Sequence, residues 1–476
     1  MGQEISRATF TPQDFQRFQK HLRAETTLLS DWLRQGRFAP DHGVGGFEIE
    51  AWLVDGQGRP APLNAPFLQR MNDPLVVPEL SVFNIELNTP PLALRGAALR
   101  QMHTHLEDLW RRCQQVAAGL EATVALIGIL PTLRDADLIP DNMSSQQRYR
   151  AINEQILHRR HGRPMRLTIH GAQTLHLTHH DVMLEAATTS FQTHLQVSID
   201  QAAAFFNAAL LASAPTVAVA ANSPLLFGKL LWEETRIPLF EQGVALRGGA
   251  HADNPTCQRV TFGGGYVRES LLELFAENLT CYPPLLPVDC SAEPPEHLAH
   301  LRLHNGTIWR WNRPLIGFAT DGTPHLRIEH RVMPAGPSLA DTIANAAFYY
   351  GLVHALADAQ SARTLDFAQC RANFYAAARQ GLRAEIVGFN GRRQLMQHWV
   401  LDELLPLAHR HLLALELDAA DVTDYLRIIA ARVSSGRNGA DWQRRFLARY
   451  GADWAALTQA YLEQQRSGAP VHDWTV

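Results

Sequence analysis

The sequence predicts an α+β fold in which helices cover one face of an antiparallel sheet and the C-terminal third is helical. Several short segments alternate apolar and polar residues with the two-residue period of a β-strand. Longer segments carry apolar residues at helical spacing, and they do not alternate with the strands as regular βαβ units would. From Leu339 onward the pattern is almost wholly helical. These observations favour separate strand and helix layers.

The first elements have clear signals. Thr11-Pro12 is typical of an N-cap followed by proline at the first helical position, and an apolar helical stripe continues to Leu33. Residues 46–55 and 82–90 read as two strands joined by a Pro- and Asn-rich connection. A helix at 97–120 and a buried strand at 123–130 are expected next.

Later elements follow a stretch that is hard to assign. Between 131 and 190 only 145–153 reads as the entry to a helix. The expected later elements are strands at 189–198, 307–311 and 325–332, an Ala-rich helix ending near 222, and a helix at 267–279. We divide the chain into an N-terminal helical segment (1–40), a sheet core (41–345) and a helical C-terminal part packed on the same domain (346–476).

Composition argues against several classes of protein. The formal net charge of −4 is unlike that of nucleic-acid-binding proteins, which are usually basic. Five cysteines without a C-x-x-C pair favour reduced thiols and a cytoplasmic location. We expect no membrane-spanning segment, because no apolar run approaches the required length, and the start lacks a signal-peptide pattern.

Four predicted strands place polar side chains on one face of the sheet. Glu48 and Glu50 alone would read as an ordinary solvated face. The alternation recurs, however, in the strands at 83–88, 191–197 and 326–331. The combined face carries Glu48, Glu50, Glu86, Asn88, His194, Gln196, Arg327, Glu329 and Arg331.

This set of side chains is typical of a site for metal-bound phosphate. Carboxylates with neutral oxygen and nitrogen donors suit a hard cation such as Mg²⁺, and arginine forks suit phosphate or carboxylate groups. The combination predicts ATP–Mg²⁺ chemistry. It does not use a P-loop, because Gly228-Lys229 is followed by Leu230. Gly263–Gly265 reads as a flexible loop, and the histidines lack the spacing of a zinc site.

Several segments resemble the glutamate–cysteine ligase type 2 family, which includes bacterial carboxylate–amine ligases and, more distantly, plant-type glutamate–cysteine ligases. The resemblance covers roughly residues 42–466 and rests on the order and spacing of the segments. They are Gly46-Phe-Glu-Ile-Glu50, Ile85-Glu-Leu-Asn-Thr-Pro90, Thr193-His-Leu-Gln-Val197, Ala221-Asn-Ser-Pro224, Glu234-Thr-Arg236, Gly306-Thr-Ile-Trp309 with Arg313, Leu326-Arg-Ile-Glu-His-Arg331, and two C-terminal blocks at 376–382 and 436–443.

The resemblance implies a glutamine-synthetase-like antiparallel sheet that binds ATP and two or three Mg²⁺ ions. It implies that ATP phosphorylates a small-molecule carboxylate, typically the γ-carboxylate of L-glutamate, and that an amine such as cysteine attacks the acyl phosphate. By position, the metal ligands would be Glu48, Glu50, Glu86 and Glu329, with His194 and Gln196 near the nucleotide. Arg236 would hold substrate carboxylate, and Arg148, Arg313, Arg327 and Arg331 would contact phosphate or substrate.

Three positions depart from the family pattern. Gln196 stands where many bacterial relatives have a second histidine, and Asn312 stands where they often have aspartate. His330 occupies a position that is usually aliphatic, and its core-facing phase predicts a hydrogen-bonded structural histidine. Gln196 leaves the metal stoichiometry open.

Three functions remain open at this stage. The leading hypothesis is a ligase that forms a γ-glutamyl amide; the alternatives are a phosphotransferase of the same architecture and a nucleotide-binding sensor without turnover. The intact set of carboxylates and arginines disfavours the sensor. The sequence does not give the amine or the assembly, for which a homodimer is one option.

Overall fold

An antiparallel sheet of eight strands lies at the centre of the protein. The structure is a computed structural model that describes residues 4–40, 43–246, 258–358 and 365–476. The strands are β1 (Val44–Val54), β2 (Val76–Pro78), β3 (Asn84–Asn88), β4 (Leu92–Ala93), β5 (Thr123–Ala125), β6 (Met165–His170), β7 (Thr174–His179), β8 (Ser190–Val197), β9 (Leu225–Leu226), β10 (Lys229–Leu230), β11 (Val260–Thr261), β12 (Trp309–Arg310), β13 (Asn312–Phe318), β14 (Pro324–Pro334), β15 (Glu385–Val387) and β16 (Arg393–Leu395).

The helices surround this sheet and make up most of the C-terminal part. They are α1 (Pro12–Arg34), α2 (Asn64–Met71), α3 (Ala98–Ala118), α4 (Gln147–Arg159), α5 (Ala202–Ala220), α6 (Arg236–Gly243), α7 (Leu272–Cys281), α8 (Ala299–Gly306), α9 (Leu339–Ala357), α10 (Phe367–Gln380), α11 (Met396–Trp399), α12 (Leu405–Ala414), α13 (Ala419–Ser435), α14 (Gly439–Tyr450) and α15 (Trp454–Arg466). A π-helical turn, Val400–Leu404, joins α11 to α12.

The order of strands across the main sheet is β13-β14-β8-β1-β3-β2, and β4 and β5 pair with β1. All the pairs within this sheet are antiparallel. Because side chains alternate between the faces, residues paired across neighbouring strands lie on the same side. The predicted α+β class, with an antiparallel sheet and separate helices, is therefore confirmed.

Helices α5 and α9 cover the apolar face of the sheet. They pack on each other, α5 packs on β14, and α9 packs on β8. The expectation that no apolar run approaches membrane-spanning length is wrong for Ile199–Ala220. By length and hydropathy alone, this segment could cross a membrane. In the structure, 83% of the most apolar 18-residue stretch of this segment is buried within the protein, so the segment is a core helix.

His330 confirms the structural role predicted from its phase. It lies on the apolar face of β14 and is fully buried. Its Nδ1 lies 2.7 Å from Oδ1 of Asn312, its Nε2 lies 2.9 Å from Oγ1 of Thr216 on α5, and its ring stacks on Tyr349 of α9. Asn312 also donates to Oγ of Ser213, so this departure from the family pattern faces the core rather than the polar face.

Several elements differ from the sequence prediction. Strand β13 was missed because it contains Pro314, which removes one backbone donor. The strand tolerates proline because it lies at the edge of the sheet. The β6–β7 hairpin was also missed, although its apolar residues alternate with histidines and other polar residues at the period of a β-strand. The predicted strand at 123–130 ends at Ala125, since Leu126 donates to the side chain of Gln465 instead of a neighbouring strand.

The start of the chain and its thiols agree with expectation within the described residues. Thr11 caps α1 and forms a capping box with Asp14, and Pro12 is the first helical residue. Cys113, Cys281, Cys290 and Cys370 are free thiols. The fifth cysteine, Cys257, lies outside the described residues.

A buried ion pair links α13 to α9. Nη2 of Arg432 donates to Oδ1 of Asp341 at 2.6 Å, and Nη1 donates to Oδ1 of Asn345 at 2.6 Å. The other oxygen of Asp341 accepts from Ser338 at the N-cap of α9 and from the backbone of Val471. Neither Arg432 nor Asp341 is exposed to solvent.

We predict that Arg432→Met lowers the free energy of unfolding by about 3–5 kcal/mol, because Asp341 is left buried without its cation. The matched control is Arg427→Met in the same helix, where an exposed arginine pairs with exposed Asp424. The control should change stability by no more than about 0.5 kcal/mol. Urea unfolding of both variants measures the difference, and equal effects would contradict the assigned role of the pair.

Protonation of His330 should contribute to acid destabilisation. Burial lowers the pKa of His330 to about 3, against 6.5 for a solvent-exposed imidazole. The unfolded chain therefore binds a proton that the folded chain excludes. Neutral His330 makes its full contribution to the free energy of unfolding above pH 6.5, and this contribution decreases as pH falls. Between pH 6.5 and pH 5 the loss from this residue is about 2 kcal/mol. Urea unfolding of His330→Gln should show a shallower loss over this interval; the same slope would contradict the prediction.

Candidate active site

The polar face predicted from the sequence forms a continuous surface across five strands. In register, Glu50 on β1 lies opposite Glu86 on β3, while His194 on β8 lies opposite Glu329 on β14. Arg327 lies opposite Gln196, and Arg313 on β13 lies opposite Glu329. The face therefore brings together Glu48, Glu50, Glu86, Asn88, Gln192, His194, Gln196, Arg313, Arg327, Glu329 and Arg331.

One cluster on this face combines two carboxylates and an imidazole. Each of Glu48, His194 and Glu329 offers a ligand atom, and these atoms lie within 4.8 Å of one another. Nε2 of His194 is 3.3 Å from Oε1 of Glu48 and 4.0 Å from Oε1 of Glu329. Nδ1 of His194 is buried without a hydrogen-bond partner among the described residues, while Nε2 faces the two carboxylates. The imidazole is thus placed to ligate a cation.

Two arginines compensate the negative charge of Glu329 in this cluster. It is fully buried, and Arg313 binds it in bidentate fashion through Nε at 2.8 Å and Nη2 at 2.9 Å. Nη1 of Arg331 donates to the same carboxylate at 3.1 Å. Burial alone would raise the pKa of Glu329, but the two arginines outweigh it and hold that pKa well below its ordinary value. Glu329 therefore remains ionised in the interior.

A second cluster consists of three carboxylates: Glu50, Glu79 and Glu86. Ligand oxygens of these residues also lie within 4.8 Å of one another. Glu50 is oriented by the backbone N–H and the hydroxyl of Ser190, at 2.6 and 2.8 Å, and by the amide of Gln192 at 2.9 Å. Asn88 donates to Glu86 at 2.9 Å.

The second cluster carries more negative charge than its surroundings neutralise. Burial, together with the carboxylate of Glu48, raises the pKa of Glu86 to about 7. Burial, together with Glu86 and Glu50, raises the pKa of Glu79 well above its ordinary value. A divalent cation would remove this repulsion. The donor sets of both clusters, carboxylate oxygens with one imidazole, fit Mg²⁺.

A cavity opens beside the second cluster. Glu50, Glu79, Arg236 and Arg331 supply charged groups to its lining, and Phe240 and Trp311 supply aromatic rings. The guanidinium of Arg236 donates to Glu234 at 3.2 Å and to the carbonyl of Val332 at 3.3 Å. Its Nε is buried without a hydrogen-bond partner among the described residues. Within the described chain, Arg236 therefore keeps one N–H without a partner beside these carboxylates.

Arg148 lies near the second cluster, and Arg327 lies near the first. The guanidinium of Arg148, on α4, is 4.5 Å from the ring centroid of Tyr149. It lies close enough to Glu79 for that carboxylate to oppose the effect of burial on the pKa of Arg148. Arg327 lies beside Gln196 on the face, and burial lowers its pKa despite the nearby Glu48 and Glu329. The structure thus brings all twelve residues singled out in the sequence, Asn88 among them, to one region.

Sequence reasoning did not select Glu79, Glu185 and Gln192. Gln192 belonged to the alternating pattern of β8 and could have been chosen by phase. Glu79 follows the three-residue strand β2, and Glu185 lies in a short 3₁₀ segment, Val182–Ala187, so neither has a periodic signal. Burial and the charge of Glu50 raise the pKa of Glu185 to about 7. Only the folded structure brings Glu79 and Glu185 to the cavity.

Comparison with known proteins identifies the family to which this chain belongs. The model of glutamate–cysteine ligase family 2 matches residues 44–469. Among curated proteins no significant match is found.

Solved structures show the same fold at low sequence identity. Glutamate–cysteine ligase from Francisella tularensis, in complex with AMP, has a TM-score of 0.57 at 12% identity, over 90% of each chain. A bifunctional glutathione synthetase from Pasteurella multocida has a TM-score of 0.54 at 12% identity, covering 93% of this chain and 55% of that one. Since the family model spans most of the sequence and the fold agrees with it, the protein belongs to glutamate–cysteine ligase family 2.

Proposed function

We propose that this protein is an ATP-dependent carboxylate–amine ligase of glutamate–cysteine ligase type. The γ-phosphoryl group of ATP passes to a substrate carboxylate and ADP leaves. The amine nitrogen then attacks the acyl carbon, phosphate and a proton are released, and an amide forms. Family membership supports the reaction class. The observation that carries the proposal is the convergence of two carboxylate clusters on one sheet face beside a cavity with buried arginines.

Each cluster would hold one Mg²⁺ ion. Glu48, His194 and Glu329 form the first site, and Glu50, Glu79 and Glu86 form the second. Bound Mg²⁺ would neutralise part of the negative charge on the ATP phosphates. Ser190, Gln192 and Asn88 would hold the carboxylates of the second site in position, because they already donate to Glu50 and Glu86.

The arginines would divide into two roles. Arg313 engages Glu329 with both arms of its fork, so we assign it to positioning that carboxylate. Arg331 lines the cavity and would contact the transferred phosphoryl group, while Arg148, Arg327 and Gln196 would contact the nucleotide. Their charge would offset the charge that develops as the phosphoryl group moves.

Arg236 would hold the carboxylate of the acid substrate. It lines the cavity, is buried, and has an Nε without a partner among the described residues. We propose L-glutamate as the acid and cysteine or another amino compound as the amine. The free thiols of the described chain are consistent with a cytoplasmic enzyme.

We predict that Glu50→Gln and Glu329→Gln each lower Mg²⁺-dependent ATP turnover by about 100-fold or more, because a neutral amide weakens the metal site. Steady-state ADP release measures turnover, and Mn²⁺ titration by calorimetry measures the site itself. Glu154→Gln, an exposed substitution on α4, is the control and should retain normal values. Near-normal turnover in both active-site variants would contradict the metal assignment.

Arg236→Lys should raise KM for the acid substrate by about tenfold or more while leaving KM for ATP nearly unchanged, because lysine keeps the charge beside Glu234 but lacks the bidentate fork. Lysine is preferable to alanine here, since alanine would leave the buried Glu234 without a cation. Initial rates with each substrate varied in turn separate the two constants. An unchanged KM for the acid would remove Arg236 from the carboxylate pocket.

A further inference from the structure

A second cleft lies away from the polar face of the sheet. Its walls come from the β6–β7 turn at Gly171, the segment before α6 at Trp232 and Glu233, the end of α10 at Arg379, and α14 at Arg444. Its volume is about 370 Å³, within the range of roughly 300–1,000 Å³ found for small-molecule sites. Its lining residues and those of the active-site cavity do not overlap.

The cleft has an excess of positive charge in a protein whose net charge is negative. Arg379, Arg383 and Arg444 line it together with one carboxylate, Glu233, while Asp441 lies nearby but outside the lining. Arg383 and Arg444 both pair with the same oxygen, Oε1 of Glu233. Arg444 also donates to the carbonyl of Leu231 at 3.5 Å. Since each guanidinium carries five N–H donors, these two acceptors leave donors available for a ligand.

Arg379 is the least engaged of the three arginines. Its guanidinium carbon is 4.7 Å from the ring centroid of Trp232. Among the residues that the structure describes, no carboxylate lies within ion-pair distance of it. Exposed cations that flank a concave wall and share few acceptors are arranged to receive anionic oxygens from a molecule entering the cleft.

We propose that this cleft binds a small metabolite with at least two anionic oxygen groups, either phosphate or carboxylate. Such a ligand would be contacted by Arg379 and Arg383 at the open side of the cleft, with Arg444 deeper inside. The aromatic wall formed by Trp232 would limit the ligand to a compact shape.

The cleft is connected to the active site through four consecutive residues. Glu233 faces the cleft, while the next residue, Glu234, accepts hydrogen bonds from the backbone of Asn222 at 3.0 Å and from Ser223 Oγ at 2.6 Å. Glu234 also pairs with Arg236, which lines the active-site cavity. A ligand that draws Arg383 and Arg444 from Glu233 would alter this segment, so occupancy of the cleft should change the affinity for the acid substrate. This second step rests on the proposed function of Arg236.

The binding step is tested without substrates. The full chain is titrated by calorimetry in the absence of Mg²⁺ and ATP. Pyrophosphate is the probe for phosphate ligands, and propane-1,2,3-tricarboxylate is the probe for carboxylate ligands. The double variant Arg379→Gln/Arg383→Gln should bind the preferred probe about tenfold more weakly or worse. The control Arg393→Gln/Arg410→Gln, on exposed surface elsewhere, should stay within about twofold.

Both test arginines are exposed, so circular dichroism and thermal unfolding should show an intact fold in the double variant. Equal affinity in the test and control variants, or no binding of either probe at about 10 mM, would overturn the site. In the ligase assay, the probe should shift KM for the acid in the unmodified protein and not in the double variant. Binding without that shift would overturn the coupling alone, and the substrate-free titration decides the site whether or not the protein is a ligase.

Discussion

The cost of burying carboxylates on one face of a sheet governs the rest of this structure. An ionised carboxylate in a low-dielectric interior is stable only with cations or strong donors around it. Arg313 and Arg331 supply Glu329 with positive charge and with hydrogen-bond donors. Glu50, Glu79 and Glu86 have donors but too little positive charge, and the pKa of each is raised. The face is therefore suited to a positively charged occupant, and under the proposed function a divalent cation bound to phosphate would supply that charge.

The opposite face of the sheet holds this arrangement in place. His330 lies between Glu329 and Arg331 in sequence but points into the core, where Asn312, Thr216 and Tyr349 surround it. Helices α5 and α9 thereby fix β14 from below, and Arg432 ties α9 to α13. Rigid packing under a site is what holds its charged groups at defined distances. The C-terminal helices thus support the sheet through α9.

The sequence predicted the parts of the structure that repeat with a regular period. Alternation along β1, β3, β8 and β14 was enough to place Glu48, Glu86, His194 and Glu329 on one face, because an antiparallel register converts phase into proximity. Residues without period could not be found this way. Glu79 follows a short strand and Glu185 lies in a 3₁₀ segment, and each reaches the cavity through long-range packing. Pro314 weakened the strand pattern of the edge strand β13. The apolar segment that is long enough to cross a membrane is the core helix α5.

Amine-dependent product formation tests the central claim most directly. The purified chain would be incubated with Mg²⁺, ATP, L-glutamate and a panel of amines that includes cysteine, with ADP release followed over time and the products identified by mass. The account predicts steady ADP release that requires both an acid and an amine, with a product whose mass equals acid plus amine minus water. Release of ADP with a stable phosphorylated product and no amide, or binding of ATP without turnover under every combination, would contradict it.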